Sequence, residues 1–178
     1  SSRFFEAGFT VPKFLLPLSP SEGSKTMIEG AVDSLQMVGN LIFIVQRDHC
    51  MFNIDTFLKE KYPSCTVLYL ERYTGGCVES VYEAALSYIN NNDPLIISNC
   101  DQYLEWDSSE FLRVCSQDGV DGCVLTYKTD SVKNSYCTID SNNRCTEFRE
   151  KQVISEHSLV GVHYWRRGSD FILSAKNM

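Results

Sequence analysis

Four short stretches hold residues whose types and spacing could act on a phosphorylated ligand. Lys13 follows Pro12, which restricts the backbone before the lysine and helps to hold its side chain in one place. With Arg3 it supplies fixed cations, which phosphoryl chemistry needs where charge spreads over oxygens. Thr74-Gly75-Gly76 stands just before a helical pattern; small residues there let the backbone approach a flat base or sugar, and a helix start presents free N–H groups. Asp101 closes the run Leu95-Ile96-Ile97-Ser98-Asn99-Cys100-Asp101, a buried strand ending in a carboxylate, where an open α/β sheet puts its ligand groups. Glu150 and Lys151 form an adjacent charged pair between strand-like runs. Each stretch has a plainer reading: a solvated loop charge, a helix cap, a turn aspartate, a surface ion pair.

The elements that would position these residues alternate. Leu41–Val45, Thr66–Tyr69 and Leu95–Ser98 read as buried strands, with helices expected over Lys25–Leu35, Asn53–Lys61, Cys77–Ile89 and Ser109–Ser116. Such alternation predicts an α/β fold with a mixed, mostly parallel sheet covered on both faces. Beyond residue 120 the pattern turns to strands at Val124–Tyr127, Tyr136–Ile139, Cys145–Phe148 and Leu159–Tyr164, the middle pair joined as a hairpin by Asp140-Ser141-Asn142-Asn143. A helix over Ser169–Lys176 is expected to end the chain, with Asp170 as its N-cap. Neither linker composition nor repeats interrupt the 178 residues, so one domain over 1–178 is expected.

Composition narrows the classes. A net charge of −7 disfavours a general nucleic-acid binder, although residues 1–25 carry Arg3, Lys13 and Lys25 against Glu6 and Glu22, a local +1. No run is apolar enough to cross a bilayer and no secretion signal is evident, so no membrane partner and a cytoplasmic location are expected. The eight cysteines lack zinc-ligand spacing and read as free thiols, many of them small buried hydrophobes. Gly-x-Gly-x-x-Gly and Walker-type loops are absent, which disfavours a dehydrogenase or a P-loop enzyme. His49, His157 and His163 form no constellation; Trp106 and Trp165 read as core or rim aromatics.

Arg3 through Leu18, Arg-Phe-Phe-Glu-Ala-Gly-Phe-Thr-Val-Pro-Lys-Phe-Leu-Leu-Pro-Leu, resembles the signature of the sugar-phosphate nucleotidyltransferases, in which a glycine-rich loop ends in Arg and Pro-Lys and Leu-Leu-Pro follow. The other three stretches come in that family's order, so the resemblance covers essentially the whole chain. It implies a Rossmann-like, three-layer domain of the GT-A-like type. It also implies transfer of a nucleotidyl group from an NTP to a sugar-1-phosphate, with Mg²⁺ as cofactor and pyrophosphate as co-product. Under it Arg3 and Lys13 are catalytic, Thr74, Gly75 and Gly76 bind the nucleotide, and Asp101 binds the metal. Tyr136, Glu150, Lys151 and Gly161 line the sugar-phosphate side. Cys137 and Gln152 depart from the Gly and Pro of the family pattern. The family's first strand with its glycine loop, and a second metal-binding Asp, are expected outside the span from Ser1 to Met178. Two alternatives stay open: a nucleotide-sugar-dependent glycosyltransferase of similar fold, and a catalytically inactive nucleotide-binding regulatory subunit. The base, the sugar and any homo-oligomer are undetermined.

Overall fold

The computed structural model describes Phe4 and residues 6–178; Arg3, one of the expected catalytic cations, lies outside the described residues. The contacts divide the chain into two units.

The first unit comprises the chain through Asp93 together with Cys100–Ser108 and Arg167–Met178. Its sheet pairs β1 (Ile42–Gln46) with β2 (Thr66–Leu70) in parallel, Ile42 opposite Thr66 and Gln46 opposite Leu70. Helix α1 (Met27–Leu35) opens with a complete capping box: Thr26 Oγ1 accepts from the Glu29 N–H, and the Glu29 side chain accepts from the Thr26 N–H. Helix α2 (Ile54–Lys61) buries Ile54 and Leu58, four residues apart on one face. Helix α3 (Cys77–Ile89) buries Val81, Ala85 and Ile89 at the same spacing, and α5 (Gly168–Lys176) packs beside it. That packing depends on Gly168, where a Cβ would stand 1.9 Å from the Ile89 carbonyl oxygen. The core joins Phe14, Ile28, Phe43, Val45, Ile54, Leu58 and Cys65.

The second unit comprises Pro94–Asn99 and Ser109–Arg166. Its strands are β3 (Leu95–Ser98), β4 (Gly122–Lys128), β5 (Tyr136–Ile139), β6 (Cys145–Arg149) and β7 (His157–Trp165), and α4 (Ser108–Cys115) lies almost wholly within it. Strand β7 pairs with both β3 and β4, touches β5 where Tyr136 faces Ser158, and β5 pairs with β6. All these pairings are antiparallel. In β4–β7 the register shifts between Val124 and Thr126, and Gly161, opposite that irregularity, takes φ +93°, a backbone conformation that favours glycine.

The α/β class is as expected and both parallel and antiparallel pairings occur, but they occur in separate sheets and the parallel share is smaller than alternation implied. Among the described strands only β1 and β2 run parallel. Hydrophobic runs mark a strand as buried without stating its partner's direction, and the long β7 collects β3 and β4 on its two edges. Asp170 is also corrected: Arg167 is the N-cap of α5, and Asp170 in the first turn accepts from Arg167 Nε at 2.8 Å. Of the cysteines, Cys65, Cys115 and Cys137 are buried, Cys123 is half-buried, and Cys50, Cys77, Cys100 and Cys145 are exposed. No helix among the described residues is long and apolar enough to cross a membrane.

Candidate functional site

Lys13 owes its direction to its neighbours. Pro12 is fully buried and extended, Lys13–Leu15 make one 3₁₀ turn, and Phe14 enters the core. The lysine is thereby left half-exposed, its Nζ 5.4 Å from the centre of the Phe4 ring. Its Nζ donates to Asp101 Oδ2 at 2.6 Å, across 88 residues of chain. Two candidate residues, from the first and third of the four stretches, therefore meet in the first unit.

Cys100 stands beside Asp101 in the chain. Its thiol is raised first by desolvation and then by the Asp101 charge, with Lys13 lowering it and Cys77 adding a small upward push. Cys77 is the first residue of α3, immediately after Gly76. The Thr74-Gly75-Gly76 stretch is held from within. Gly75 N–H donates to Glu79 Oε2 at 2.6 Å, and the Thr74 hydroxyl contacts the Ser80 hydroxyl and donates to the Gly76 carbonyl at 3.3 Å. Glu79 also takes a 2.6 Å bond from Arg72, whose guanidinium reaches Glu83 as well. The Gly75 N–H first and the Arg72 pairing second hold the Glu79 carboxyl below its ordinary range.

Five residues outside the sequence-derived set belong to this neighbourhood. Arg47 Nε donates to Glu71 at 3.0 Å, and Tyr73 OH donates to Asp48 Oδ2 at 2.9 Å. Both bonds join the segment after β1 to the segment after β2, and so continue the β1–β2 pairing past the strand ends. His49, which joins no constellation in the sequence, packs edge-on against Phe14 at 5.1 Å, with its Nδ1 buried and unpartnered. Desolvation lowers its pKa, which keeps the imidazole neutral near pH 7. No periodicity or motif marks these contacts, because the Arg47 and Asp48 partners are set by the β1–β2 register and the His49 partner by the packing of Phe14.

The sugar-side candidates fall in the second unit and in different settings. Tyr136 is fully buried and donates its hydroxyl to the Ser131 carbonyl at 2.9 Å, so its ring packs in the interior. Glu150 and Lys151 pair with each other at 2.8 Å, and both are exposed. Gly161 accepts the Asn99 N–H at 3.2 Å through its carbonyl. His163 lies in β7 opposite Ile97 and Val124, with desolvation lowering its pKa.

For Mg²⁺, the described residues contain no cluster of three or more His, Cys, Asp or Glu side chains suited to a metal. Asp101 nonetheless fits the hard-oxygen preference as a single anchor: its Oδ2 is taken by Lys13, and Mg²⁺ commonly completes its shell with phosphate oxygens and water.

No family model matches this sequence. No curated protein matches it either. Solved structures do match the fold. A nucleoside-diphosphate-sugar pyrophosphorylase from Vibrio cholerae aligns with TM-score 0.74 at 21% identity, over 99% of this chain and 74% of that one. A Bacillus anthracis protein named as a glucose-1-phosphate thymidylyltransferase, solved with sucrose, aligns with TM-score 0.77 at 19% identity, over 96% and 68% of the two chains. A 4-diphosphocytidyl-2C-methyl-D-erythritol synthase from Anaerococcus prevotii aligns with TM-score 0.57 at 13% identity, over 94% and 70%. The fold is that of the sugar-phosphate nucleotidyltransferases.

Proposed function

We propose that the protein transfers a nucleotidyl group from an NTP to a sugar-1-phosphate, forming an NDP-sugar and releasing pyrophosphate. The observation that carries this reading is the 2.6 Å approach of Lys13 Nζ to Asp101 Oδ2, which sets a cation and a hard-oxygen ligand at one point of a nucleotidyltransferase fold.

In this reading the triphosphate replaces Asp101 as the partner of Lys13. The lysine then lies against phosphate oxygens on which charge builds as the sugar phosphate attacks the α-phosphorus in line and pyrophosphate departs. Asp101 would hold Mg²⁺, which would supply charge neutralisation to the triphosphate. Arg3 holds the leaving pyrophosphate. The Thr74–Gly76 stretch takes the nucleoside, while Glu150 and Lys151 are assigned to the sugar hydroxyls and sugar phosphate, with Tyr136 and Gly161 shaping that side. Catalysis rests on positioning and charge, without a covalent intermediate.

The test is pyrophosphate release with Mg²⁺ across the four NTPs and a panel of sugar-1-phosphates. Release that requires one NTP and one sugar phosphate together supports the reading and names both substrates. Nucleotide binding without release across the panel supports an inactive regulatory subunit instead.

A further inference from the structure

Tyr73 stands directly before the glycine stretch with 71% of its surface exposed, yet it is not a loose side chain. Its hydroxyl is tethered to Asp48 Oδ2 at 2.9 Å, from a segment 25 residues earlier. Asp48 follows the end of β1 by two residues and Tyr73 follows the end of β2 by three, so the tether spans the C-terminal edge of the parallel pair. Open α/β sheets bind ligands at that edge. The neighbouring Arg47–Glu71 bond braces the same two segments. A phenol restrained in this way presents a flat apolar face whose ordering cost is already met in the free protein.

The polar groups beside it are partly spent. The Gly75 N–H is held by Glu79 and the Thr74 hydroxyl by Ser80 and the Gly76 carbonyl. Space remains at Gly76, where an added Cβ would meet no atom within 4 Å. A planar heteroaromatic ligand arriving here finds a fixed ring and an open glycine edge, a combination suited to stacking.

We infer that Tyr73, positioned by Asp48, is the stacking platform for the nucleobase of the NTP. The inference rests on the nucleotidyl-transfer reading and deepens it. It makes recognition at this point depend on the base's π-face, leaving the choice among bases to other contacts.

The experiment measures equilibrium binding of each NTP, and of inorganic tripolyphosphate as a base-free probe, to the wild-type protein and to Tyr73→Ala, Tyr73→Phe and Asp48→Asn. Stacking on an aromatic side chain sets the expected loss for Tyr73→Ala at roughly 10-fold or more for the NTPs, with tripolyphosphate binding unchanged. Tyr73→Phe, which keeps the ring but loses the tether to Asp48, should fall between wild type and Tyr73→Ala, and Asp48→Asn, whose amide oxygen can still accept from the Tyr73 hydroxyl, should remain within about 3-fold of wild type. If turnover is present, KM for the NTP rises while kcat holds. Equal NTP binding by wild type and Tyr73→Ala overturns the inference and leaves nucleotidyl transfer standing. Parallel loss of NTP and tripolyphosphate overturns it too, by assigning Tyr73 to the fold of the phosphate site. A wild-type protein that binds no NTP overturns both readings.

Discussion

Lys13 Nζ and Asp101 Oδ2 lie 2.6 Å apart, with side chains 29% and 41% exposed. An ion pair in so much solvent contributes only about 0–1 kcal/mol to folding. Its two members are therefore poor candidates for structural necessity and good ones for chemistry. Lys13→Ala and Asp101→Asn should leave the unfolding midpoint close to wild type. Pyrophosphate release should drop by roughly 10²–10³ in each, the scale seen when one preorganised charge partner of a transition state is removed. Turnover within a few-fold of wild type in Asp101→Asn would end the metal-ligand assignment.

Gly168 offers a test of the fold alone. A Cβ there would fall 1.9 Å from the Ile89 carbonyl oxygen, a backbone atom with no rotamer to escape into. Gly168→Ala should therefore cost about 1–3 kcal/mol, the usual range for overpacking. Urea unfolding checks this: the midpoint falls while the slope stays constant. An unchanged midpoint would mean that α3 and α5 can separate freely.

The sequence made some of this legible because local rules governed it. The α3 helix and strands β3 and β5 lie where periodicity put them, since Val81, Ala85 and Ile89 repeat at helical spacing and the strands are β-branched or apolar runs. The Asp140–Asn143 hairpin followed from turn chemistry, with Asn143 in the left-handed region. Strand direction was not legible, because burial of β3 and β4 is the same whichever way β7 runs. The 3₁₀ segment Arg47–Phe52 carries no apolar repeat, so His49 and Asp48 had no visible partners. Lys13 and Asp101 were each read from local motifs, but their contact spans 88 residues and depends on tertiary structure. Tyr136 is likewise placed by tertiary structure, its ring buried and its hydroxyl given to the Ser131 carbonyl, which no local pattern announced.

Thiol reactivity should separate the cysteines into two sets. Desolvation first, and then the neighbouring Cys123, pushes Cys115 up to about 12, while desolvation and Cys145 push Cys137 up to about 11. At pH 8 the thiolate fraction of either is then roughly one in a thousand or less. Brief alkylation followed by peptide mapping should label the exposed Cys50 and Cys145 ahead of Cys65, Cys115 and Cys137, which are buried. Full labelling of all eight should require denaturant. Rapid native labelling of Cys137 would show that β5 is not packed as described.

The capping box of α1 sets an acid-sensitive contribution to stability. Glu29 accepts from the Thr26 N–H at 2.9 Å, and its other oxygen pairs with Lys61 at 3.0 Å. Desolvation pushes the carboxyl up, but the Thr26 N–H, the Lys61 bond and the Thr26 hydroxyl together outweigh it and hold it below the ordinary glutamate range. A carboxylate whose folded pKa is depressed stabilises the protein fully above its unfolded pKa and loses that contribution as pH falls through the folded one. Thr26→Ala removes the cap, at about 1 kcal/mol near pH 7. Glu29→Gln removes the titrating group, so its stability should fall less steeply than that of wild type as pH drops from 4.5. Urea titrations of the three proteins at pH 7, 4.5 and 3 give the comparison. The gap between wild type and Glu29→Gln should narrow toward pH 3, and a constant gap would locate the acid sensitivity in other carboxylates.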